Sequence, residues 1–160
     1  MDHDADYPAG YLAGILKQVK TIAMVGASSD RAKFSLGVLR ALNDAGYDMI
    51  PVNPNQPGGE IGGLKCYKSL AAIERPVDMV EVFRASEHAY GVTEAAIKIG
   101  AKVVWMQLNV RNDDAAKNAE AAGLKVVMNR CPKIEYARLS GELSWNGFNS
   151  KVITSKRRRM

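Results

Sequence analysis

Residues 20–39, KTIAMVGASSDRAKFSLGVL, set a glycine, two hydroxyls and two cations close together: Gly26, Ser28 and Ser29, then Arg31 and Lys33. These are residue types that hold phosphate. Glycine lets the backbone approach an anion, serine hydroxyls donate to its oxygens, and the N–H groups that open a helix attract it. A dinucleotide fingerprint would carry further glycines in this turn and a carboxylate at the end of the next strand, where it holds ribose hydroxyls. Here Ser28 stands in the turn, and Asn53 and Pro54 stand at that strand end. Both departures suit an adenine nucleotide with an additional phosphate, such as coenzyme A or NADP. An ordinary tight strand-to-helix turn is the other reading of Gly26 alone.

Such a loop works only if a strand delivers it and a helix follows. Runs rich in β-branched and apolar residues at 21–26, 48–53, 78–83, 102–107 and 125–128 read as strands. They are too uniformly apolar for a sheet with one wet face, so the pattern predicts a parallel sheet covered on both sides. Helical spacing fills the gaps. Leu36, Leu39 and Leu42 define a stripe over 34–45, and Ala89, Val92, Ala96 and Ile99 define one over 86–99 with Ser86 as the expected N-cap. Residues 112–123 repeat the pattern, with Asn112 as cap and two acids in the first turn. These three helices stop at Gly46, Gly100 and Gly123. An amphipathic helix over 7–20 precedes the sheet, burying Leu12, Ile15, Leu16 and Val19, and another begins near Cys131. The final stretch, SWNGFNSKVITSKRRRM, reads as irregular. The fold class is therefore α/β: a single Rossmann-like three-layer domain over 1–145, with a doubly wound, mainly parallel sheet of about five strands, then a basic tail at 146–160.

Five of the 22 basic residues lie in the last ten positions, and the others balance the 17 acids. The net charge of +5 is thus a property of the tail. With no aromatic residues interleaved among those last ten positions, the basic stretch reads as a solvated segment, and nucleic acid is not the expected partner. The acidic opening MDHDADYP is unlike a secretory signal, and no apolar run approaches a membrane span. A cytoplasmic protein is expected. Cys66 and Cys131 stand far apart with no CxxC spacing, which gives no disulfide framework or zinc site.

Five stretches taken together are more specific: IAMVGASSD, GYDMIPVNPNQPGGEIGGLKCYKSL, VDMVEVFR, GAKVVWMQLNV and AGLKVVMNRCPKIEYARL. In order and spacing, across about residues 15–140, they resemble the small stand-alone CoA-binding proteins. The single Rossmann-like domain of those proteins is similar to the CoA-binding domain of the succinyl-CoA synthetase α subunit. The resemblance implies that Gly26, Ala27, Ser28 and Ser29 line the turn around the pyrophosphate. It implies that Asn53 and Pro54 flank the adenosine, that Phe83 and Arg84 lie beside the ligand, and that Gln107 approaches the pantetheine arm. NRCP resembles an Asn-Cys-Pro motif of the synthetase domain, which would put Cys131 near the thiol end. Asn109 stands where many relatives carry glycine, a departure that puts the backbone path there in question.

Other readings stay open at several of these positions. Phe83 is equally a core aromatic at a strand end, and Cys131 is by default a small buried thiol. Trp105 and Met106 read as core. The PNQPGGEIGG loop is either a shaped turn over a nucleotide or a plain surface loop. The synthetase relatives use a phosphohistidine from a second domain, for which this length leaves no room, and His88 reads as a solvated surface residue. No nucleophile elbow, P-loop or carboxylate pair is visible, and Glu81 lies inside a strand. The leading expectation is a binding protein for CoA or acyl-CoA. The alternatives are an NAD(P)-binding redox protein or sensor, with NADP or NAD as cofactor, and a nucleotide-binding subunit of a partner-dependent acyl-CoA enzyme. A homodimer and a separate catalytic chain are both compatible with the sequence.

Overall fold

The computed structural model describes residues 1–30, 33–55 and 59–145. Along the chain run α1 (Ala9–Gln18), β1 (Thr21–Val25), α2 (Phe34–Asp44), β2 (Asp48–Val52), β3 (Glu60–Ile61) and β4 (Leu64–Lys65). A short 3-10 turn at Leu70–Ala72 follows. Then come β5 (Met79–Val82), α3 (Ser86–Lys98), β6 (Val103–Met106), α4 (Asp113–Ala121), β7 (Lys125–Val127) and α5 (Pro132–Trp145). Five strands make one parallel sheet in the order β2-β1-β5-β6-β7. The expected fold class is the one found.

The uniform apolarity of the strands has a direct cause: both faces are covered. Ile22, Met24, Met79 and Trp105 face a cluster completed by Leu12, Ile15 and Leu16 of α1, Leu36, Leu39 and Leu42 of α2, and Tyr136 and Leu139 of α5. Ala23, Val25, Val80, Val82 and Val104 face the other side, where α3 and α4 contribute Ala89, Ala96, Ala115 and Ala119. The small alanines let those two helices lie close on the sheet. Among the described residues no helix is long and apolar enough to cross a membrane.

A sheet this short must protect its edges, because unpaired backbone groups on an edge strand invite pairing with other chains. On β7 the N-terminal segment does this with phenols. The Tyr11 hydroxyl donates to the Val126 carbonyl at 2.8 Å and accepts from the Val126 N–H at 3.1 Å. The Met128 N–H donates to the Tyr7 hydroxyl at 2.9 Å, and the two rings stack with centroids 5.8 Å apart. Burial pushes the Tyr11 phenol up to about 12, so it remains a donor at any ordinary pH. On the opposite edge β2 carries Pro51, which has no N–H to leave exposed, and its carbonyl accepts from the Tyr67 N–H.

Several expectations need correction. Ser86 is the first residue of α3 and does not cap it: the N-cap is Ala85, with no side-chain hydrogen bond. The Ser86 hydroxyl accepts from the Arg111 N–H at 2.9 Å, so it ties α3 to the β6–α4 loop. The expected stripe of α3 does face the core, with Ala89 and Ala96 buried and Val92 and Ile99 packed against it, and Thr93 is fully buried beside them. Helix α5 continues through Ser144 and Trp145, where the sequence reads as irregular; the basic tail lies outside the described residues. The last four residues of PNQPGGEIGG form β3 and the turn of a small antiparallel hairpin with β4, turned at Gly62 and Gly63 with φ of 60° and 81°, and residues 56–58 are outside the described set. Asn112 does cap α4, accepting from the Ala115 N–H at 2.9 Å.

Replacing Tyr11 by phenylalanine removes both bonds to Val126 while keeping the ring. Chemical denaturation should show a loss of about 1–3 kcal/mol. An unchanged midpoint would show that these edge bonds do not contribute.

Candidate functional site

The chain leaves β1 outward to β2, returns past β1 to form β5, and then continues outward to β6 and β7. The strand order therefore reverses between β1 and β5. At that point adjacent chains turn to opposite faces, opening a crevice at the carboxyl ends. The structure has a cavity there of about 500 Å³, lined among others by Gly26 and Ser28 after β1, Asn53 and Pro54 after β2, and Phe83 and Arg84 after β5. The size falls within the usual range for small-molecule sites.

The crevice depends on a close backbone approach. Gly26 has φ of +97°, its N–H donates to the Val52 carbonyl at 3.0 Å, and the Phe83 N–H donates to the Val25 carbonyl at 2.8 Å. A Cβ at Gly26 would drive into the Phe83 backbone, 2.9 Å from the carbonyl carbon. Only glycine satisfies both the dihedral and the clearance. Asn53 then braces the turn: its side-chain amide donates to the Ala27 carbonyl at 2.8 Å, and its side-chain oxygen accepts from the Asn55 N–H at 2.8 Å. This bracing uses the position where a dinucleotide site would keep a carboxylate.

Two helix N-termini open on the cavity. Lys33 is the N-cap of α2 and Ala85 that of α3, and neither end has a side-chain cap. Helix α4, away from the cavity, is capped by Asn112 and has Asp113 and Asp114 in its first turn. The end of α2, with no acid in its first turn, keeps N–H groups and positive dipole available to an anion, and the end of α3 keeps its N–H groups while Glu87 in its first turn offsets part of the dipole. Lys33, Arg84 and His88 stand around the cavity, and among the described residues no carboxylate lines it and Lys33 and Arg84 form no ion pair. Beside α2, the Asp30 N–H donates to the Ser28 hydroxyl at 3.1 Å.

Of the residues expected at a site, Gly26, Ser28, Lys33, Asn53, Pro54, Phe83 and Arg84 come together around the cavity. Ala27 is buried just behind its wall, and Ser29 is exposed in the same turn. Arg31 lies outside the described residues. Phe83 answers to both of its readings, since it lines the cavity and packs partly on the core. Gln107 and Cys131 do not line the cavity: both are buried on the α1, α2 and α5 side of the sheet or at its edge, with Cys131 inside that core cluster. Asn109 takes a left-handed φ of 71°, which asparagine tolerates better than most residues, and its N–H donates to the Asn129 side chain at 2.7 Å.

The structure adds residues that the sequence reading missed. Ser35 is only 3% exposed, lines the cavity, and its hydroxyl has no hydrogen-bond partner among the described residues. A signal for it existed: Ser35 precedes Val38, Leu39 and Leu42 on the buried stripe of α2, a lone hydroxyl at an apolar position in the first turn. Phe34, half exposed, faces Phe83 with ring centroids 6.5 Å apart. His88, expected as a plain surface residue, is exposed on the cavity wall. Its place follows only once β5 is known to lie beside β1.

Comparison with known proteins gives this geometry a context. A family model described as a CoA binding domain matches residues 20–137. The chain belongs to that CoA-binding domain family. It is 40% identical over 123 residues to the uncharacterised protein YneT of Bacillus subtilis, covering 77% of this chain and 90% of that one. A solved hypothetical protein from Pyrococcus horikoshii is 40% identical, with a TM-score of 0.80, covering 84% of this chain and 94% of that one. The similarity extends to an ADP-forming acetate–CoA ligase of Methanocaldococcus jannaschii, 31% identical over 77 residues, which is 48% of this chain and 10% of the ligase. The family match and that similarity agree with the resemblance seen in the sequence.

Gly26→Ala tests the close approach. The left-handed φ alone should cost roughly 1–3 kcal/mol in thermal unfolding, with the collision against Phe83 adding to it. A variant as stable as the parent would mean that the β1 and β5 ends separate without penalty.

Proposed function

We propose that this chain binds coenzyme A or an acyl thioester of it, with the diphosphate held at the β1–α2 turn. One observation carries the reading. Ser35 presents an unpartnered buried hydroxyl in the wall of a cavity whose charged side chains are cationic and onto which two uncapped helices open. Buried polar groups are nearly always paired, and a phosphate oxygen would complete this one. In this reading the backbone of Gly26, Ala27, Ser28 and Ser29 shapes the diphosphate turn. Lys33, Arg84 and Arg31 supply charge to the phosphates, including the one a plain dinucleotide lacks.

Asn53 and Pro54 flank the adenosine, and Gln107 serves the amides of the arm. Cys131 lies toward the thiol end; its burial in the core fits a packing role without chemistry of its own. The absence of a carboxylate after β2 favours this ligand over NAD. The reading is one of binding, in which the protein carries, buffers or senses its ligand.

The test is thermal unfolding with nucleotides. At a hundredfold excess over Kd, CoA should stabilise the fold by about 2.7 kcal/mol, while NAD and NADP leave it unchanged. Saturating CoA without a shift contradicts the proposal, and a shift with NADP alone selects the redox alternative.

A second prediction concerns Arg84. Replacing it by alanine should weaken CoA binding by about 1–3 kcal/mol when measured by calorimetry. Unchanged affinity would assign Arg84 to the scaffold.

A further inference from the structure

Four residues among those described have buried side-chain polar atoms without a partner: Ser35, Glu81, Thr93 and Gln107. Thr93 belongs to α3, on one side of the sheet. Two of the others, Glu81 and Gln107, are neighbours on the opposite side. Glu81 pairs in register with Met24 and with Trp105, whose side chains face the α1, α2 and α5 layer, so its carboxyl points the same way. Gln107 follows Trp105 by two residues, which returns it to that face, and its N–H donates to the Val82 carbonyl at 3.1 Å. Phe83 follows Glu81 by two residues and lines the cavity. Glu81 therefore lies one strand step behind a cavity-lining residue, and Gln107 stands at the end of the adjacent strand on the same face.

Strand spacing sets their separation. One strand across and two residues along puts their Cα atoms roughly 8 Å apart, a gap that a glutamate and a glutamine close with a single hydrogen bond. Among the described residues neither oxygen of Glu81 and neither polar atom of Gln107 has a hydrogen-bond partner. Each is an expense that native structures seldom carry without a use, and two adjacent ones compound it. Glu81 is 0% exposed, and burial holds its carboxyl well above the usual carboxylate range. As the neutral acid it has one O–H to donate.

The geometry points to Glu81 as a positioning residue: when the arm of the cofactor binds, the Glu81 carboxyl O–H engages the Gln107 side-chain oxygen, which turns the Gln107 N–H groups toward a carbonyl of that amide-bearing arm. This inference rests on the CoA reading of the cavity. It explains why a polar residue is kept between Met24 and Trp105, where an apolar one would pack. It also predicts a ligand with an uncharged acceptor at that point, because the apolar surroundings penalise an unpaired charge.

Calorimetry with CoA and with adenosine 3′,5′-bisphosphate, which has the nucleotide but no arm, tests it on the full chain. Glu81→Leu should weaken CoA binding about tenfold and leave the bisphosphate unchanged. Glu81→Gln, which retains an N–H donor, should restore CoA affinity to within about threefold of the parent. In a Gln107→Leu background, Glu81→Leu should have no further effect on CoA. Glu81→Leu with full CoA affinity, or an equal loss for both ligands, overturns the inference while leaving the nucleotide site intact. Failure of the parent to bind either ligand overturns the CoA reading and this inference with it. Should Glu81→Leu not fold, the parent protein decides by NMR: the Gln107 side-chain amide signals should shift and gain protection from exchange with CoA but not with the bisphosphate. Signals unmoved by CoA would overturn the inference.

Discussion

The close passage of Gly26 beside the Phe83 backbone is the constraint on which the rest of the molecule turns. There β1 and β5 end side by side, and their chains leave for helices on opposite faces of the sheet. Because Gly26 has no side chain, the two ends stay within hydrogen-bonding reach and both following turns start from one point. Helices α2 and α3 then open on a shared cavity, and Asn53 ties the neighbouring strand end to the same turn. A wider separation would leave two isolated helix ends, each a weak anion site by itself.

The electrostatics follow from what is left undone. Helix α4 has an asparagine cap and two acids in its first turn, whereas α2 and α3 have no side-chain caps. The same economy appears in the side chains: Ser35 in the wall, Glu81 in β5 and Gln107 just after β6 lack partners, although each is buried. Elsewhere the molecule satisfies its backbone with care, as Tyr7 and Tyr11 do along β7. Three of the four unsatisfied groups among the described residues gather near the carboxyl ends of the inner strands, Thr93 of α3 being the exception. Such a grouping is more easily understood as prepared for a ligand than as a general failure of packing.

The architecture was legible in the sequence because its signals are local. Apolar strand runs, the α2 and α4 stripes and the glycines after the helices each depend on residues a few positions apart. Gly26 and Arg84 were legible for the same reason, since both stand at strand ends. The expected Ser86 cap failed because the hydroxyl found a better partner 25 residues away, in the Arg111 N–H. Thr93 joins Ala89 and Ala96 as a fully buried residue of α3, a place its polarity did not mark, while Val92 and Ile99 pack against the same core from the helix flanks. His88 and Phe34 became site residues only through strand order, which no local pattern encodes. Ser35 was the exception: its place on an otherwise apolar stripe was visible, and its meaning depended on the cavity beside it.

The central claim is that the β1–α2 turn receives a diphosphate, and a crystal structure of the protein with CoA measures this most directly. The account predicts diphosphate oxygens within hydrogen-bonding distance of the first-turn amides of α2 and of the Ser35 hydroxyl, with Arg84 paired to a phosphate. CoA bound elsewhere on the surface, with this turn and the Ser35 hydroxyl untouched, would contradict it.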